Sequence, residues 1–257
     1  MNEILLSENL AYWTGRAPGY SEVNREELAT DQREVWKRML SERIDARFPG
    51  RRPAGIHVLE VGTGPGFFAI LLAEAGYRVT AVDLTPSMLE QARINAGELG
   101  RRIDFREMNA QALDFGDAKF DVILSRNLTW NLPDPARAYA EWARVLKPGG
   151  LLMVFDANWY RYLFDEDARA AYDRDRENSQ EEGLADLNVG ERFDRMEAIA
   201  RRLPLSRVRR PEWDIRALSA LGLCADADPD IWQRVWSRQE KVNFASTPLF
   251  MVCGCKA

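Results

Sequence analysis

The stretch HVLEVGTGPGF, residues 57–67, decides how this chain folds. An apolar run typical of a buried strand leads into a glycine-rich turn, and a helical pattern begins directly after it. Glycine permits positive φ values and lets a ligand approach the backbone closely. The spacing is Gly-x-Gly-x-Gly, not the Gly-x-Gly-x-x-Gly of dinucleotide-binding folds, and this difference separates two classes of ligand that bind to the same kind of sheet.

Strand and helix patterns alternate on both sides of this glycine loop. Short apolar runs predict strands at 56–61, 78–82, 103–108, 120–125, 151–156 and 248–255. Helical patterns occur at 24–48, 67–75, 86–96, 135–146 and 213–221. Asn24 and Glu27 resemble a capping box, 147–150 predicts a turn, and the charged stretch 160–200 predicts further helices. The alternation indicates a doubly wound, mostly parallel α/β sheet with a helical insertion.

Composition and charge limit the function. The 257 residues contain 35 Lys and Arg against 40 Asp and Glu, so the formal charge is −5 and no basic face for nucleic acid is indicated. No apolar run approaches the roughly 18 residues of a membrane span, and the start, MNEILLSENL, lacks the basic region of a secretory signal. Three cysteines, an odd number, favour a reduced, cytoplasmic location. Cys253 and Cys255 offer at most half of a metal site, so no metal is expected.

A carboxylate follows the second predicted strand. Asp83 is expected at the carboxyl edge of the sheet beside the glycine loop, which is where open α/β sheets bind ligands. A carboxylate at this position can accept hydrogen bonds from both hydroxyl groups of a ribose. The alternative is a solvated aspartate that merely ends a strand. We therefore expect a ligand with a ribose at this edge.

Five short segments follow one another along the chain: EVGTGPG at 60–66, DLTPSML at 83–89, NAQAL at 109–113, FDVI at 120–123 and LKPGG at 146–150. In this order they resemble the class I S-adenosylmethionine-dependent methyltransferases, over roughly residues 12–156. The resemblance implies a Rossmann-like sheet of seven strands with an antiparallel last strand at 248–255. It also implies S-adenosyl-L-methionine as the cofactor.

The resemblance further implies which residues bind the cofactor. Gly62 and Gly64 would pass close beneath its methionyl and ribose parts. Glu60 would order the loop and help to hold the amino group, and Asp83 would bind the ribose hydroxyls. The implied set is Tyr20, Glu60, Gly62, Thr63, Gly64, Asp83, Leu84, Met88, Asn109, Ala110, Ser125 and Arg126.

The adenine ring is assigned to residues after the second and third strands. Leu84 and Met88 would pack on its faces, while Asn109 and Ala110 would meet its edge. Many members of the family carry Asp where this chain has Asn109. The missing negative charge concerns the affinity for the cofactor and not its identity, because an Asn oxygen can still accept from the adenine amine.

The single histidine bears on the methyl acceptor. His57 stands at the amino end of the first strand, the opposite edge from the ligand, and is expected to be a packing or surface residue. Orientation of the acceptor against the methyl group can alone supply about 7–11 kcal/mol in favourable cases. A base is needed only where the acceptor must lose a proton. Acceptors with N or S are therefore favoured over O, although a Tyr, Asp or Glu base stays open.

Aromatic residues follow the fourth and fifth strands. Asn127 and Trp130 are expected beside the reacting centre, where nucleic-acid methyltransferases commonly carry Asn or Asp before Pro-Pro-aromatic, a motif that is absent here. Trp159, Tyr160 and Trp213 are candidates for a pocket that would suit a planar or cationic acceptor. Alternatively, these aromatics only attach the insertion to the sheet. The candidate catalytic residues are Tyr20, Asn127 and Trp130, and the candidate pocket residues are Trp130, Trp159, Tyr160 and Trp213.

Four segments are expected along the chain. YWTGRAPGY at 12–20 resembles the aromatic N-terminal lid of small-molecule methyltransferases, with Tyr20 over the methionyl end. Arg207, Arg209 and Arg210, at the end of the insertion, either grip a substrate carboxylate or are solvated. The segments are a helical lid at 1–52, a cofactor-binding core at 53–157, a helical substrate cap at 158–210 and the completion of the core sheet at 211–257.

These observations favour a cytoplasmic methyltransferase acting on a small molecule, with no nucleic-acid or membrane partner. The oligomeric state and the identity of the acceptor stay open. Two alternatives remain. One is a module that binds the cofactor without catalysis, and the other is a NAD-dependent oxidoreductase on the same sheet, which the glycine spacing opposes.

Overall fold

The computed structural model describes residues 2–187 and 191–257, in which seven strands form one sheet. The strands are β1 (His57–Val61), β2 (Arg78–Asp83), β3 (Ile103–Glu107), β4 (Phe120–Arg126), β5 (Leu146–Asp156), β6 (Leu223–Asp228) and β7 (Phe250–Lys256). Their order across the sheet is β3-β2-β1-β4-β5-β7-β6. The first five strands pair in parallel, and β7 runs antiparallel to both β5 and β6. The predicted doubly wound sheet with an antiparallel last strand is confirmed.

Helices cover both faces of this sheet. They are α1 (Asn2–Leu28), α2 (Gln32–Arg47), α3 (Phe67–Glu74), α4 (Pro86–Ala96), α5 (Pro135–Val145), α6 (Glu166–Glu181), α7 (Glu191–Ala200), α8 (Glu212–Ala220), α9 (Ile231–Val235) and α10 (Arg238–Asn243). A proline opens α4 and α5, and the Asp134 side chain caps α5 by accepting from the Arg137 N–H at 3.0 Å. In the two described ranges no helix is long and apolar enough to cross a bilayer.

The charged insertion between β5 and α8 contains α6 and α7, so the prediction of helices at 160–200 is confirmed there. Residues 188–190, which also fall within the predicted cap segment, lie outside the described residues. A small apolar cluster joins α7 to α1, with Met196 and Ile199 beside Leu5. The insertion therefore packs against the outer side of α1.

The core has one apolar layer on each face of the sheet. Along β5, Met153 and Phe155 face a layer with α2, α3 and α9, whereas Leu152 and Val154 face a layer with α5 and α8. Alternate side chains of a strand point to opposite faces, so a strand that is covered on both faces is apolar throughout. This explains why the central strands are continuous apolar runs in the sequence.

The N-terminal region differs from its prediction. The single helix predicted at 24–48 is wrong, because Asn24 and Glu27 lie in the last turns of α1 and a separate helix, α2, follows. The buried face of α1 includes polar residues such as Asn9, and Pro18 lies inside the helix. These residues hide the helical period, so the pattern does not indicate a helix here.

The segment LKPGG at 146–150 is also different from its prediction. It belongs to β5 as an irregular stretch, because Phe120 pairs with Leu146 while Val122 already pairs with Leu151. Gly149 has φ +73°, and its carbonyl accepts from the Arg47 Nε–H at 3.0 Å. The positive φ explains why a glycine stands in this bulge.

The edge strand β6 is not predicted from the sequence. Its residues, LCADAD, include two alanines and two aspartates, which are uncommon in strands. The strand pairs with β7 alone, and charged residues are usual on such an exposed edge. Its strand character therefore depends on its neighbour rather than on local preference.

Candidate active site

A cavity opens at the carboxyl ends of β1, β2 and β4, beneath α1. The empty space within it is about 980 Å³, which includes open solvent at its mouth. Its wall contains every predicted cofactor-binding residue except Ser125, which is buried inside β4. The predicted residues that line it are Tyr20, Glu60, Gly62, Thr63, Gly64, Asp83, Leu84, Met88, Asn109, Ala110, Arg126 and Asn127.

The glycine loop is fixed to the end of β2 by backbone hydrogen bonds. The N–H groups of Gly62 and Thr63 both donate to the Val82 carbonyl, at 2.8 and 3.0 Å. Gly62 has φ +72°, and a Cβ there would lie 2.7 Å from a methyl carbon of Leu128. Both the backbone angle and the close side chain therefore require glycine at this position.

Asp83 lies at the end of β2 and ties the loop to α4. One carboxylate oxygen accepts from the Gly64 N–H at 2.9 Å, and the other accepts from the Thr85 N–H at 2.8 Å. Burial raises the pKa of Asp83, and the two N–H groups act against that rise. Each oxygen keeps further lone pairs, so the carboxylate can also accept hydrogen bonds from a ligand.

Asn109 follows β3, as predicted for the residue at the adenine edge. Its side-chain oxygen accepts from the backbone N–H of Gln111 at 2.9 Å and from the Gln111 side chain at 3.2 Å. The oxygen therefore already orders this loop. Asn109 also lines the cavity, and its place at the adenine edge stays a prediction.

Glu60 lies beneath the glycine loop, with only 3% of its surface exposed. Its carboxylate accepts from the Thr63 hydroxyl at 2.6 Å. Burial raises the pKa of Glu60 to about 8, and the nearby negative charge of Asp83 adds to this rise. A cationic ligand group at this position would stabilise the ionised carboxylate.

The Glu60→Gln variant is expected to be more heat-stable than the wild type at pH 8 and similar at pH 4. An unfolded Glu ionises near pH 4.5, whereas the folded group keeps its proton up to about pH 8. Stability contributed by protonated Glu60 is therefore full below about pH 4.5 and is lost as the pH rises to about 8. Each kcal/mol of unfolding free energy that Glu60→Gln regains at pH 8 should raise its Tm by about 2–4 °C.

Thermal unfolding of both proteins at pH 4, 6 and 8 measures this difference. Gln keeps an oxygen for the Thr63 hydroxyl, so the substitution mainly removes the ionisable proton. A Tm difference that is the same at all three pH values would refute the assignment of a raised pKa to Glu60.

Arg126, at the end of β4, is paired inside the protein. Its guanidinium donates to both oxygens of Glu27 on α1, at 2.6 and 3.1 Å, and lies 4.9 Å from the ring centre of Trp36. The ion pair raises the pKa of Arg126. Arg126 thus lines the cavity, but its charge serves to hold the last turn of α1 against the sheet.

Asn127 has an unusual backbone conformation for a residue with a side chain, φ +54°. Its N–H donates to the Phe155 carbonyl at 2.8 Å, and its carbonyl accepts from the Trp130 indole N–H at 3.0 Å. Burial raises the pKa of Tyr20, and a hydrogen bond with the Asn127 side chain acts in the opposite direction. Asn127 is therefore held firmly at the cavity wall.

The four predicted pocket aromatics do not line the cavity. Trp130 packs on Tyr160 with ring centres 5.0 Å apart, and Trp159 packs on Phe244 at 5.3 Å. Trp213 packs on a tyrosine of α5 at 5.7 Å. These ring contacts suit the alternative, attachment of the insertion to the sheet, and a role of the four aromatics in an acceptor pocket stays a prediction.

In the basic run at 207–210, Arg207 and Arg209 agree with the solvated interpretation, whereas Arg210 agrees with neither interpretation. Arg210 is fully buried and lies 2.6 Å from Asp156 and 2.6 Å from Asp214. Arg207 and Arg209 are exposed and do not line the cavity. Neither a substrate carboxylate nor solvent neutralises Arg210, because two buried aspartates do so.

His57 lies at the amino end of β1, away from the cavity, as predicted. Its Nε2 is 3.0 Å from the Thr80 hydroxyl, and its ring packs on Phe120 at 4.6 Å. Burial lowers the pKa of His57 to about 4. The imidazole is therefore a neutral packing residue at neutral pH.

Part of the cavity wall was not predicted. It comes from the inner face of α1 and from the loop after β4, namely Leu6, Asn9, Leu10, Trp13, Asn24, Leu128, Asn131, Leu132 and Pro133. The α1 members recur every three or four residues, which is the signal that could have identified them. That signal is visible only if the asparagines are counted with the apolar residues.

Comparison with known proteins agrees with this geometry. Residues 59–154 match the family model described as a methyltransferase domain. A ubiquinone biosynthesis O-methyltransferase of Xanthomonas axonopodis pv. citri is 36% identical over 107 residues, which cover 41% of this chain and 45% of that protein. The matched segments span 36% to 45% of the curated relatives.

Two solved structures extend the likeness of the fold beyond that segment. One is a Haloferax volcanii putative methyltransferase in complex with the Trm112 methyltransferase activator, with a TM-score of 0.59, 17% identity and coverage of 95% of this chain and 98% of that one. The other is geranyl diphosphate C-methyltransferase of Streptomyces coelicolor A3(2) with S-adenosyl-L-homocysteine, with a TM-score of 0.54, 13% identity and coverage of 86% and 80%. At these identities the likeness concerns the fold. The match over residues 59–154 shows a methyltransferase domain in this part of the chain, and this domain contains the first five strands of the Rossmann-like sheet.

Proposed function

We propose that this protein binds S-adenosyl-L-methionine in the cavity and methylates a small molecule. The observation that carries the proposal is the position of Asp83 beside the glycine loop. Its carboxylate is oriented by the N–H groups of Gly64 and Thr85 and retains lone pairs for the hydroxyl groups of a ribose. This arrangement suits a nucleoside.

The remaining wall residues fit the other parts of this cofactor. Glu60 would accept from the cationic amino group, whose charge favours the ionised carboxylate. Gly64 leaves a gap beneath Tyr20, where an added Cβ would lie 3.5 Å from the ring. Leu84 and Met88 provide apolar contacts for adenine.

The chain's own contribution to the reaction would be orientation. When bound, the cofactor supplies a sulfonium methyl group, whose bond to sulfur breaks with its electron pair on sulfur as the acceptor's lone pair bonds to the carbon. Tyr20 and Asn127 would form the wall beside that methyl group, and Trp130 would hold Asn127 through the indole N–H. Positioning of this kind can supply several kcal/mol of the barrier.

An acceptor with N or S remains favoured over O within this proposal. His57 is remote from the cavity, and the raised pKa of Tyr20 keeps its phenol protonated, so neither is suited to remove a proton from a hydroxyl group. The O-methyltransferase and C-methyltransferase names belong to relatives that share part of the sequence or the fold. They therefore do not identify the acceptor of this chain.

The segment roles and the compartment form part of the same proposal. Residues 1–52 would act as the lid, since α1 lies over the cavity, and residues 158–210 would support that lid from outside. The odd number of cysteines supports a reducing, cytoplasmic setting.

Calorimetry with S-adenosylhomocysteine and with NAD tests the proposed function. Binding of S-adenosylhomocysteine without NAD is expected, and the reverse result would favour the oxidoreductase. Incubation with S-adenosylmethionine and a panel of metabolites, followed by detection of S-adenosylhomocysteine, then tests catalysis. Binding without turnover on any panel member would favour the catalytically inert module.

A further inference from the structure

One part of the cavity wall, none of whose residues belongs to the proposed cofactor-binding set, has a distinct chemistry. We call it the amide end and define it by Asn9 and Trp13 of α1 and by Asn127 and Asn131 of the loop after β4. Asparagine side chains and the indole N–H of Trp13 form its polar part, and this N–H also has no partner among the described residues. The leucines and the ring of Trp13 form its apolar part. If the cofactor occupies the cavity as proposed above, this end is left for the methyl acceptor.

Among the residues that the structure describes, three asparagine oxygens of the amide end have no hydrogen-bond partner. They are the side-chain oxygens of Asn9, Asn127 and Asn131, and Asn9 and Asn131 are only 5% and 7% exposed. Buried acceptor atoms in native proteins are nearly always paired, so an unpaired group calls for an explanation. Three such oxygens in the wall of one cavity point to a ligand that donates hydrogen bonds.

The orientation of two of these side chains is fixed by their own amide N–H groups. Asn9 donates to the Asn131 backbone carbonyl at 2.7 Å, which leaves the Asn9 oxygen as the unpaired atom. The bond between Asn127 and Tyr20 lowers the pKa of the phenol, as expected when the amide N–H is the donor. The Asn127 oxygen is then also the unpaired atom.

The backbone of Asn127 is held in place by two hydrogen bonds. Its φ is +54°, a left-handed conformation that asparagine adopts more readily than most residues. Its N–H donates to the Phe155 carbonyl and its carbonyl accepts from the Trp130 indole N–H. These bonds fix the point from which the Asn127 side chain enters the cavity wall.

The amide end carries no formal charge among the described residues that line it from α1 and from the loop after β4. Arg126, the nearest cation of the wall, is paired with Glu27. A carboxylate or thiolate acceptor would find no counter-charge and would face amide oxygens. An alcohol would find no carboxylate or imidazole base among the wall residues of α1 and the loop after β4, and burial keeps the Tyr20 phenol protonated by raising its pKa.

We propose that the amide end binds a neutral amine, whose N–H groups donate to the oxygens of Asn127 and Asn9. This inference rests on the proposed function and narrows its acceptor from N or S to N. Two donors on one nitrogen match two oriented oxygens, and the apolar wall fits the carbon skeleton of the amine. Asn127 would then act as a specificity-determining residue.

Aniline, phenol and thiophenol are suitable probes because they share a skeleton and differ in the donor atom. Their affinities for the protein loaded with S-adenosylhomocysteine can be measured at pH 7.5 by ligand-observed NMR titration. Aniline is expected to bind about threefold or more tightly than phenol and about tenfold more tightly than thiophenol, which is largely thiolate at this pH. Equal or tighter binding of thiophenol or phenol would overturn the proposal, as would failure of aniline to bind.

The Asn127→Gly variant tests the residue itself, because glycine accepts the positive φ. Its affinity for aniline is expected to fall about tenfold, and its affinity for S-adenosylhomocysteine should fall much less. Ala118→Gly is the matched control, since Ala118 also has a positive φ, of 51°, and does not line the cavity. Unchanged aniline binding in Asn127→Gly would refute the role of Asn127. Failure of the wild type to bind S-adenosylhomocysteine would instead reject the proposed function itself.

Discussion

Replacing Arg210 with leucine is expected to cost about 3–5 kcal/mol of folding free energy. The guanidinium is fully buried between Asp156 and Asp214, and it also donates to the Thr129 hydroxyl at 2.7 Å. The tyrosine of α5 donates to Asp214 in the same network. Without Arg210, two buried carboxylates would share one site with no cation, which is why removal of one partner is so costly.

The variant should also disturb one end of the cavity more than the other. Asp156 accepts from the backbone N–H of Trp130 at 2.9 Å, and Trp130 in turn holds Asn127. No such contact joins Arg210 to the glycine loop among the bonds of the described residues. Binding at the amide end should therefore weaken more than binding of S-adenosylhomocysteine.

Thermal and urea unfolding of Arg210→Leu measure the loss, with Arg207→Leu as the control. Arg207 is exposed and lies over the ring of Phe164 at 4.4 Å, so its replacement should change stability by about 0.5 kcal/mol or less. The Tm of Arg210→Leu should fall by about 6–20 °C. Similar small losses in the two variants would show that the buried network contributes little to stability.

The cofactor half of the site could be predicted because its requirements are local. Positive φ at Gly62 and Gly64 demands glycine, and a carboxylate directly after a buried strand must emerge at the carboxyl edge. Such features leave a short, ordered pattern in the sequence. Eleven of the twelve predicted cofactor-binding residues accordingly line the cavity, and Ser125 is the exception because it faces the interior.

The acceptor half could not be predicted in the same way, because its residues depend on contacts distant in sequence. Arg210 is a buried residue only because Asp156, 54 positions earlier, lies beside it. Trp130 and Trp159 are equally suited to a pocket wall and to packing, and the local sequence does not distinguish the two. The polar inner face of α1 hides the helix and contains the asparagines that define the amide end.

Replacing Asp83 with alanine is expected to weaken binding of S-adenosylhomocysteine by at least about a hundredfold. Hydrogen bonds to a charged group are each worth about 1.5–3 kcal/mol, and two ribose hydroxyls would lose such a partner. The N–H groups of Gly64 and Thr85 would also lose their acceptor, so the loop would be less ordered. Asp104→Ala is a control, because Asp104 is an exposed aspartate of β3 that does not line the cavity.

A comparison of two nucleosides separates the ribose contact from the ordering of the loop. Adenosine and 2′,3′-dideoxyadenosine differ only in the two hydroxyl groups, and Asp83→Ala and the wild type complete a double-mutant cycle. In the wild type, loss of the hydroxyls should weaken binding substantially, whereas in Asp83→Ala it should have almost no effect. If Asp83 only ordered the loop, the Asp83→Ala substitution would lower the affinity for both nucleosides by the same factor. The coupling free energy between Asp83 and the two hydroxyl groups would then be zero. A coupling of about 2 kcal/mol or more is expected, because a carboxylate that accepts from both hydroxyls loses both bonds at once.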